Sequence, residues 1–458
     1  MTVRFDLILR QARLEDGTLG DVGIASGLIA AMEPRLGRCD NDFPGEGRLL
    51  LPGLADHHIH LLATAARLHS VDLAGMTSAV AVIGELRTKA AMLGPGAWLR
   101  AVGYDERAGG IPDHMMLDAW LSDRPLRLQD RTGALWALNS AALALIGDPP
   151  WPEAVETDAY GHPSGRIWRG DDWLRSRIGG DPPDLAPLGR QLARCGVTSV
   201  TDAGAHNGPG EAALLAAQVR SGALPQRLTL MGREDLPEAA EYCIGPLKLL
   251  YDERDLPALD AVAARIVAAR AARRAVAAHV VTEGELVFFL AALDSAGGAQ
   301  PGDRIEHGSL IPANLIGEIA GRGLIVVANP GFIATRGDRY LAEIESSQRV
   351  DLHRLASLAA AGIALLGGSD APYGPANPWT AIASAVRRKC TSGEVLGPRE
   401  ALDPQQALGL FRTGGAIRAG APADCCLIDH DWRERVADTI APDPVALTLI
   451  DGEPVYAR

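Results

Sequence analysis

Residues 51–60 combine an apolar run with two histidines, His58 and His60, that stand one residue apart. In a β-strand alternate side chains point to the same face, so both imidazoles project to one side while the residue between them points away. By the same alternation Asp56 shares the histidine face and His57 lies opposite, so His57 is not expected to be a ligand. Two imidazoles on one strand face can bind a metal ion, although a histidine pair also arises on surfaces without one.

Three further segments each end a short apolar run with a residue of a type that binds metals. They end at His279, at His307 and at Asp370. Buried parallel strands of a barrel show this pattern of an apolar run followed by a polar residue, and their carboxyl ends meet at one rim. Four histidines and an aspartate form a set of nitrogen and oxygen donors that fits zinc or a related divalent ion. The sequence therefore predicts a metal site at the rim of a parallel barrel.

These segments resemble the amidohydrolase superfamily of metal-dependent hydrolases over nearly the whole chain. The Pro-Gly-x-x-Asp-x-His-x-His pattern that begins at Pro52 is similar to that family's first barrel strand. Residues 414–431 are similar to the segment with which such chains re-enter their second domain. The resemblance implies as metal ligands His58, His60, His279, His307 and Asp370. Within the superfamily, the chain is most similar to the branch that includes N-substituted formamide deformylases and exoenzyme-regulator-like proteins.

Lys248 lies inside the apolar segment 246–250, where a free ammonium group is costly to bury. In many members of the superfamily that the chain resembles, a lysine here is carboxylated by carbon dioxide and bridges two metal ions. The resemblance therefore implies Lys248 as a further ligand, with two metals per chain. The alternative is a lysine whose stem is buried while its ammonium group reaches water, which implies one metal.

The composition predicts a soluble enzyme. The chain has 458 residues, 47% of them hydrophobic, yet no apolar run approaches the ~18 residues of a membrane span. Its first residues lack a basic and apolar leader, which predicts a cytoplasmic location. The formal net charge of -13 argues against nucleic acid as a partner. We expect the protein to bind a small-molecule substrate and to have neither a membrane nor a nucleic acid as a partner. Assembly into a homo-oligomer is left open.

The order of the predicted elements indicates an α/β protein built on a (β/α)8 TIM barrel. Short strands in residues 1–52 and 415–458 predict a composite β-sandwich made from both chain ends. Residues 53–414 hold the barrel. After the strand that carries His58, its strands are predicted at residues 196–202, 226–231, 247–250, 276–279, 304–307, 324–328 and 364–367.

Residues 62–184 are not needed to close an eight-stranded barrel. They contain their own predicted elements, with helices near residues 80–92 and 139–146 and strands at 98–104 and 126–129. We therefore expect an inserted α/β subdomain after the first barrel strand. Loops at that rim often cover active sites, so the insertion is a candidate lid, and a purely stabilising role is the alternative.

The ligand set predicts hydrolysis. A divalent metal lowers the pKa of water from about 15.7 to roughly 7 and polarises a carbonyl oxygen, so that an unreactive amide can be attacked. Asp370 is expected to shuttle a proton from the water to the leaving nitrogen. The predicted function is therefore hydrolysis of a non-peptide carbon–nitrogen bond in a small, apolar or aromatic substrate.

Two other functions remain open. The mononuclear branch of the superfamily contains hydrolytic deaminases of nitrogen heterocycles, which use a single metal. Those relatives carry a glutamate three residues after the histidine of the fifth strand, where this chain has Thr282 followed by Glu283. The other alternative is a non-catalytic interaction protein, but relatives of that kind have usually lost ligands, and this chain keeps the expected set.

Aromatic residues and an arginine follow the seventh and eighth predicted strands and suggest a substrate with an apolar or aromatic body and a carboxylate. The candidate substrate-binding residues are Phe332, Arg336, Tyr340, Tyr373, Trp379 and, from the insertion, Tyr104. His206 is an outside candidate for substrate contact. The remaining histidines are expected at surfaces or in local hydrogen bonds; they are His69, His114, His162, His353 and His430.

Overall fold

The computed structural model describes residues 4–179, 182–440 and 442–458. The strands are, in chain order, β1 (Leu7–Arg13), β2 (Leu19–Ala25), β3 (Leu28–Glu33), β4 (Asp42–Pro44), β5 (Leu49–Pro52), β6 (Leu54–Ile59), β7 (Val71–Asp72), β8 (Leu99–Tyr104), β9 (Leu126–Asp130), β10 (Leu135–Leu138), β11 (Val155–Thr157), β12 (Pro163–Trp168), β13 (Val197–Asp202), β14 (Arg227–Gly232), β15 (Tyr242–Leu249), β16 (Val276–Val280), β17 (Arg304–His307), β18 (Ile325–Ala328), β19 (Leu365–Gly367), β20 (Cys425–Ile428), β21 (Val445–Ile450) and β22 (Glu453–Ala457).

The α-helices are α1 (Leu61–Leu68), α2 (Ala79–Ala90), α3 (His114–Trp120), α4 (Ser140–Leu143), α5 (Asp171–Ile178), α6 (Ala186–Arg194), α7 (Pro209–Arg220), α8 (Leu259–Ala271), α9 (Glu283–Ser295), α10 (Ile316–Gly321), α11 (Gly331–Glu343), α12 (Leu355–Ala360), α13 (Pro378–Arg387), α14 (Pro404–Gly409) and α15 (Trp432–Asp438). Short 3-10 helices cover Glu106–Ala108, Ala313–Leu315, Arg349–Asp351 and Pro398–Glu400. Within the described ranges, no helix has both the length and the apolar content needed to cross a bilayer.

Eight strands form the central sheet in the order β6-β13-β14-β15-β16-β17-β18-β19, and every neighbouring pair is parallel. Two backbone hydrogen bonds join the chain after β19 to β6. The Asp370 N–H donates to the His58 carbonyl (2.7 Å), and the His60 N–H donates to the Ala371 carbonyl (2.9 Å). The predicted α/β barrel is confirmed, and each of the eight predicted strands has its counterpart.

Packing on the outer face of the barrel decides which side chains reach its interior. Leu247 and Leu249 of β15 belong to the apolar cluster that includes residues of helices α8 and α9. Because alternate residues of a strand face opposite sides, Lys248 between them points into the barrel. The same alternation along β16 and β17 directs His279 and Glu306 inward, since Ala278, Val280 and Ile305 belong to the outer cluster.

Strand β15 begins earlier than predicted. The Gly245-Pro246 pair in the sequence indicates a break, because proline cannot donate to a strand ladder. In the structure, β15 already pairs with β14 at Tyr242, and the register shifts between Leu230 and Gly232 of β14. A proline is tolerated at such an irregularity, so the strand runs through it.

Strands from both ends of the chain form one sheet, in the order β3-β2-β1-β5-β20-β21-β22 with β4 paired to β1. Backbone hydrogen bonds between β3 and the segment before β20, such as that from the Ile29 N–H to the Ala421 carbonyl (2.9 Å), curl this sheet. Its strand β5 continues through Gly53 into β6. The Gly53 N–H donates to the Asp424 carbonyl (3.0 Å), so the sheet sets where the first barrel strand begins.

Residues Leu62–Asp184 form a second compact unit with its own sheet, in the order β7-β8-β9-β10-β12-β11. Strands β7, β8 and β9 are parallel, and the others pair antiparallel. The helices predicted near residues 80–92 and 139–146 correspond to α2 and the shorter α4, and the two predicted strands correspond to β8 and β9. The short strands β10, β11 and β12 lack a sustained alternation and were not predicted. The role of this unit as a lid stays a prediction.

Candidate metal centre

His58, His60 and Asp370 converge at the carboxyl ends of β6 and β19. Asp370 Oδ1 lies 3.1 Å from His60 Nε2 and 3.5 Å from His58 Nε2. One ligand atom from each of the three residues can be chosen so that these atoms all lie within 4.8 Å of one another. Tetrahedral bonds of about 2.0–2.2 Å to zinc place ligand atoms about 3.3–3.6 Å apart. These three residues are therefore spaced as the ligands of a divalent ion would be.

The two histidines predicted from later strands lie beside this group. The His307 ring centroid is 4.7 Å from that of His58 and 4.6 Å from that of His279. The Nδ1 atom of His307 is 3.9 Å from Asp370 Oδ2. Burial lowers the pKa of His58 to about 4 and the pKa of His279 to about 3. His58 and His279 are therefore neutral at pH 7, which is the form that binds a metal.

Lys248 reaches this cluster from β15. Its side chain is 4% exposed, and its Nζ atom is buried without a hydrogen-bond partner among the described residues. Burial lowers the pKa of Lys248, and the nearby Glu306 only partly opposes this. An ammonium group in such a place is strongly disfavoured. The alternative in which the head of Lys248 reaches water is therefore wrong.

Glu306, which was not among the predicted site residues, orients His58. It is fully buried, its Oε2 contacts His58 Nδ1, and Arg304 Nε lies 2.6 Å from its other oxygen. Burial alone would raise the pKa of Glu306, but Arg304, Lys248 and His58 together hold it well below its usual range. An ionised carboxylate at Nδ1 fixes the tautomer that presents the Nε2 lone pair to a metal. The sequence signal that could have indicated Glu306 is an arginine and a glutamate two residues apart, and so on one face, in an apolar strand.

We expect Glu306→Gln to weaken metal binding by about 10- to 100-fold, the usual cost of losing a partner that orients a ligating histidine. The amide cannot supply the charge that holds the Nδ1 proton of His58, and it leaves the buried Arg304 without a counter-ion. Competition against a chelator measures this affinity. The matched control is Glu318→Gln, because Glu318 of α10 is exposed and pairs with Arg322, which follows that helix. Equal metal affinity in the two variants would contradict the orienting role.

Two further polar residues hold the ligands in place. Asn329 Oδ1 lies 2.7 Å from His307 Nδ1, and its Nδ2 donates to the Gly368 carbonyl (2.9 Å). Asp56 shares the histidine face of β6, as predicted from strand parity, but its Oδ1 accepts from the backbone N–H groups of Ser369 (3.0 Å) and His58 (3.1 Å). Burial raises the pKa of Asp56 to about 6. Asp56 thus joins β6 to the turn that carries Asp370.

The backbone is unusual at the ligands themselves. His307 has φ of 73° and Asp370 has φ of 50°, in the left-handed region that side chains other than glycine rarely adopt. Such strained positions cluster at functional sites, where the surrounding structure enforces them. Gly368 is needed for a related reason, because a Cβ atom there would lie 2.5 Å from the Cβ of His58. Only glycine lets the end of β19 approach β6 this closely.

Four of the candidate substrate-binding residues lie together. Phe332, Arg336 and Tyr340 are spaced four residues apart on α11 and share one helix face. Arg336 Nη2 donates to the Tyr373 carbonyl (3.0 Å), and the Tyr373 ring lies edge-on to that of His60 at 5.8 Å. This group therefore adjoins the metal ligands.

The structure does not bring Trp379 to this group. Trp379 is 1% exposed, its Nε1 donates to the Cys195 carbonyl (3.0 Å), and its ring packs against Trp432. Cys195 precedes β13, so this contact lies at the amino end of a barrel strand, opposite the rim. Tyr104 belongs to the core of the second compact unit, where its hydroxyl donates to the Gly110 carbonyl (2.9 Å).

The other predicted histidines divide into two kinds. His162 is exposed beside the nearby Asp158, and His69, His206 and His430 are also exposed. His114 is half-buried, and its Nδ1 lies 3.1 Å from Ser140 Oγ. The prediction for His353 is wrong, because this side chain is 2% exposed and neither ring nitrogen has a hydrogen-bond partner in the described structure. Its ring packs 5.6 Å from that of Tyr340, behind the face of α11 described above.

The acids near His279 are not placed like the proton shuttle of a deaminase. Thr282 is the N-cap of α9, and its hydroxyl accepts from the Glu285 N–H. Glu285 reaches back to the Val281 N–H (2.7 Å) and the Thr282 N–H (3.2 Å), which completes a capping box. Glu283 is exposed in the first helical turn. The deaminase alternative therefore gains no support from this segment.

A parallel barrel that gathers imidazoles and a carboxylate at the carboxyl ends of its strands defines a metal-dependent hydrolase. The chain belongs to the amidohydrolase family, whose model matches residues 46–456, and it acts as a hydrolase on carbon–nitrogen bonds. The chain is 25% identical to YtcJ of Bacillus subtilis (strain 168), whose name places it among amidohydrolases, over 90% of each chain. It is 24% identical to the N-substituted formamide deformylase of Arthrobacter pascens over 90% of this chain and 89% of that protein.

Solved structures share the fold. A metal-dependent hydrolase from Pyrococcus horikoshii OT3 superposes with a TM-score of 0.70 at 19% identity, over 93% of this chain and 98% of that one. A metal-dependent hydrolase from Pyrococcus furiosus gives a TM-score of 0.68 at 20% identity, over 93% and 99%. At these identities the superpositions establish the architecture of the barrel and the terminal sheet.

Proposed function

We propose that this protein hydrolyses an amide-type, non-peptide carbon–nitrogen bond in a small substrate with an apolar or aromatic body. The observation that carries the proposal is the position of Asp370, whose Oδ1 lies 3.1 Å from His60 Nε2 and 3.5 Å from His58 Nε2. A carboxylate in that place can serve both as a ligand and as a base. The deformylase of Arthrobacter pascens, which the chain resembles over most of its length, supports an amide as the substrate.

The donor set fits a divalent metal, most plainly zinc. The residues that would hold it are His58, His60, His279, His307 and Asp370, together with Lys248 if two ions are bound. Asp370 Oδ1 is buried between the Nε2 atoms of His60 (3.1 Å) and His58 (3.5 Å), as expected for an atom that shares a cation with them. When bound there, a divalent metal makes water acidic enough to ionise near pH 7 and polarises the substrate carbonyl.

Lys248 is suited to carboxylation. Burial lowers the pKa of its amine, so the neutral, nucleophilic form is favoured. The amine nitrogen attacks the carbon of carbon dioxide, a carbamate forms, and one proton is released. The carbamate would offer two oxygen atoms as additional ligands, and its negative charge would suit a cation held by imidazoles. We propose that this modified side chain is the sixth ligand of a site for two metals.

Asp370 then moves the proton that hydrolysis requires. Burial would raise the pKa of Asp370, but the hydrogen bond from His60 and the neighbouring His307 and His58 hold it far below its usual range, so it is a carboxylate at neutral pH. It accepts a proton from the attacking water as the oxygen bonds to the amide carbon. It then returns that proton to the nitrogen as the carbon–nitrogen bond breaks. The products are a carboxylic acid and an amine.

The expected result of a substrate screen is turnover of N-acyl amines or N-acyl amino acids with release of an amine. The panel also contains cyclic amides, carbamates and nitrogen heterocycles, with products identified by mass spectrometry. Removal of metal by a chelator should abolish turnover, and added zinc should restore it. The side chains of the site alone do not ionise water near pH 7 or polarise the substrate carbonyl as the metal does. Release of ammonia from a heterocycle, with no amide hydrolysed, would contradict the proposal in favour of a deaminase.

A further inference from the structure

Arg336 is a half-buried cation on α11 that has no carboxylate partner. Among the described residues, the ion pairs formed within 4.0 Å do not include it, whereas Arg339 on the same helix pairs with Glu343 at 2.6 Å. A cation that has lost part of its hydration without gaining a counter-ion raises the free energy of the folded state. Binding of an anion at Arg336 lowers that free energy again, because it supplies the counter-ion. A missing counter-ion is therefore an argument for an anionic ligand.

The guanidinium of Arg336 is held in one position by three neighbours. Its central carbon lies 3.9 Å from the centroid of the Phe332 ring, and its Nη2 donates to the Tyr373 carbonyl (3.0 Å). The Tyr340 hydroxyl forms a hydrogen bond with it from the next turn of the helix. All three neighbours are uncharged. Since a guanidinium has five N–H donors, donors remain for a ligand in an orientation that is already fixed.

In space, only Tyr373 separates the guanidinium of Arg336 from the metal ligands. Tyr373, whose carbonyl accepts from Arg336, follows Asp370 by three positions, and its N–H donates to the Asp370 carbonyl (2.8 Å). The ring of Tyr373 lies edge-on to that of His60, with centroids 5.8 Å apart. One small molecule can therefore reach both places, with one of its polar groups on Arg336 and its reacting bond at Asp370.

We propose that the substrate carries a carboxylate that Arg336 binds, a few bonds away from the carbon–nitrogen bond that is cleaved. This inference rests on the proposed amide hydrolysis and narrows its substrate. The planar guanidinium matches a carboxylate through two parallel hydrogen bonds. The half-buried aromatic ring of Tyr373, beside His60, gives the apolar part of the same molecule a surface to pack on. Acylated aromatic amino acids are the simplest compounds with this arrangement.

The test compares two compounds that differ only by the carboxylate, N-formylphenylalanine and N-formylphenethylamine. The metal-loaded wild-type enzyme is expected to show a higher kcat/KM for the acid, by about 10- to 100-fold, the range for a hydrogen-bonded charged group. Arg336→Ala should lower the ratio of the two kcat/KM values by a similar factor, mainly through KM of the acid. Arg336→Lys should recover part of it. Arg339→Ala removes an arginine of the same helix that is already paired with Glu343, so it is the matched control and should keep the ratio.

A binding measurement separates failure of this inference from failure of the proposed function. Calorimetric titration with 3-phenylpropanoate, which has no bond to cleave, is expected to show binding to the wild type that weakens by about 10-fold or more in Arg336→Ala. If neither formyl compound is hydrolysed but this binding depends on Arg336, the amide proposal fails and the anion site stands. Hydrolysis of both compounds with the same ratio in wild type and Arg336→Ala, or equal binding of 3-phenylpropanoate, would overturn the inference.

Discussion

Replacement of Asp370 by Asn is expected to lower kcat by about 10²- to 10⁴-fold while the metal content of the protein stays close to that of the wild type. The amide keeps the shape of the side chain and one oxygen that can face a cation. It cannot accept the proton of the attacking water, because an amide is not a base at neutral pH. Turnover of an amide substrate and metal analysis of the same sample measure the two effects.

Asp294→Asn serves as the control for this prediction. Asp294 is an exposed carboxylate near the end of α9 that pairs with Arg322, and its loss should leave turnover unchanged. Thermal unfolding of both variants checks that the fold is kept. If Asp370→Asn retained kcat within a few-fold of the wild type, the proton would have to travel by another group, and the assigned role of Asp370 would be wrong.

Lys248→Ala is expected to lower the metal content from about two ions per chain to about one and to reduce activity strongly, since a two-metal site loses its shared ligand. The reason to expect a modified side chain is that Nζ is buried and has no hydrogen-bond partner in the part of the chain that the structure describes. Mass spectrometry of the intact protein should show the added mass of one carbon dioxide. Carbon-13 bicarbonate should give a carbamate signal that the variant lacks.

Lys248→Met distinguishes loss of a ligand from loss of the fold. Methionine fills a similar volume without a charge, so the barrel should be as stable as the wild type or more stable, while the second metal is still lost. Two ions per chain and full activity in both variants would remove the carboxylated lysine from the site. A single ion in the wild type, with no carbamate signal, would have the same consequence.

The central barrel could be predicted because its strands are short apolar runs that end in polar residues. Such runs are local, so each strand is visible without knowledge of its neighbours. The same holds for His58 and His60, whose common face follows from strand parity. Strands β10, β11 and β12 of the second compact unit lacked that signal, because they are short and show no sustained alternation of apolar and polar residues.

The roles of Glu306 and Trp379 show what local patterns miss. Glu306 contacts His58, which is separated from it by 248 positions, and no spacing in the sequence expresses that contact. Trp379 follows Asp370 by nine residues and therefore looked like a rim residue. It stands in the first turn of α13, however, and is buried at the amino end of β13, against Cys195. Proximity in sequence to a ligand is therefore a poor guide to position once the chain has left the rim.

By itself, the sequence determined the barrel, the residue types at its strand ends and the class of chemistry that they perform, because these depend on the alternation of side chains within single strands. Only the tertiary structure decided that, among the described residues, Lys248 Nζ is buried without a hydrogen-bond partner and Arg336 lacks a counter-ion, and that Glu306 holds His58. Each of these is a relation between segments that fold together from distant parts of the chain, and burial and charge compensation exist only after that packing.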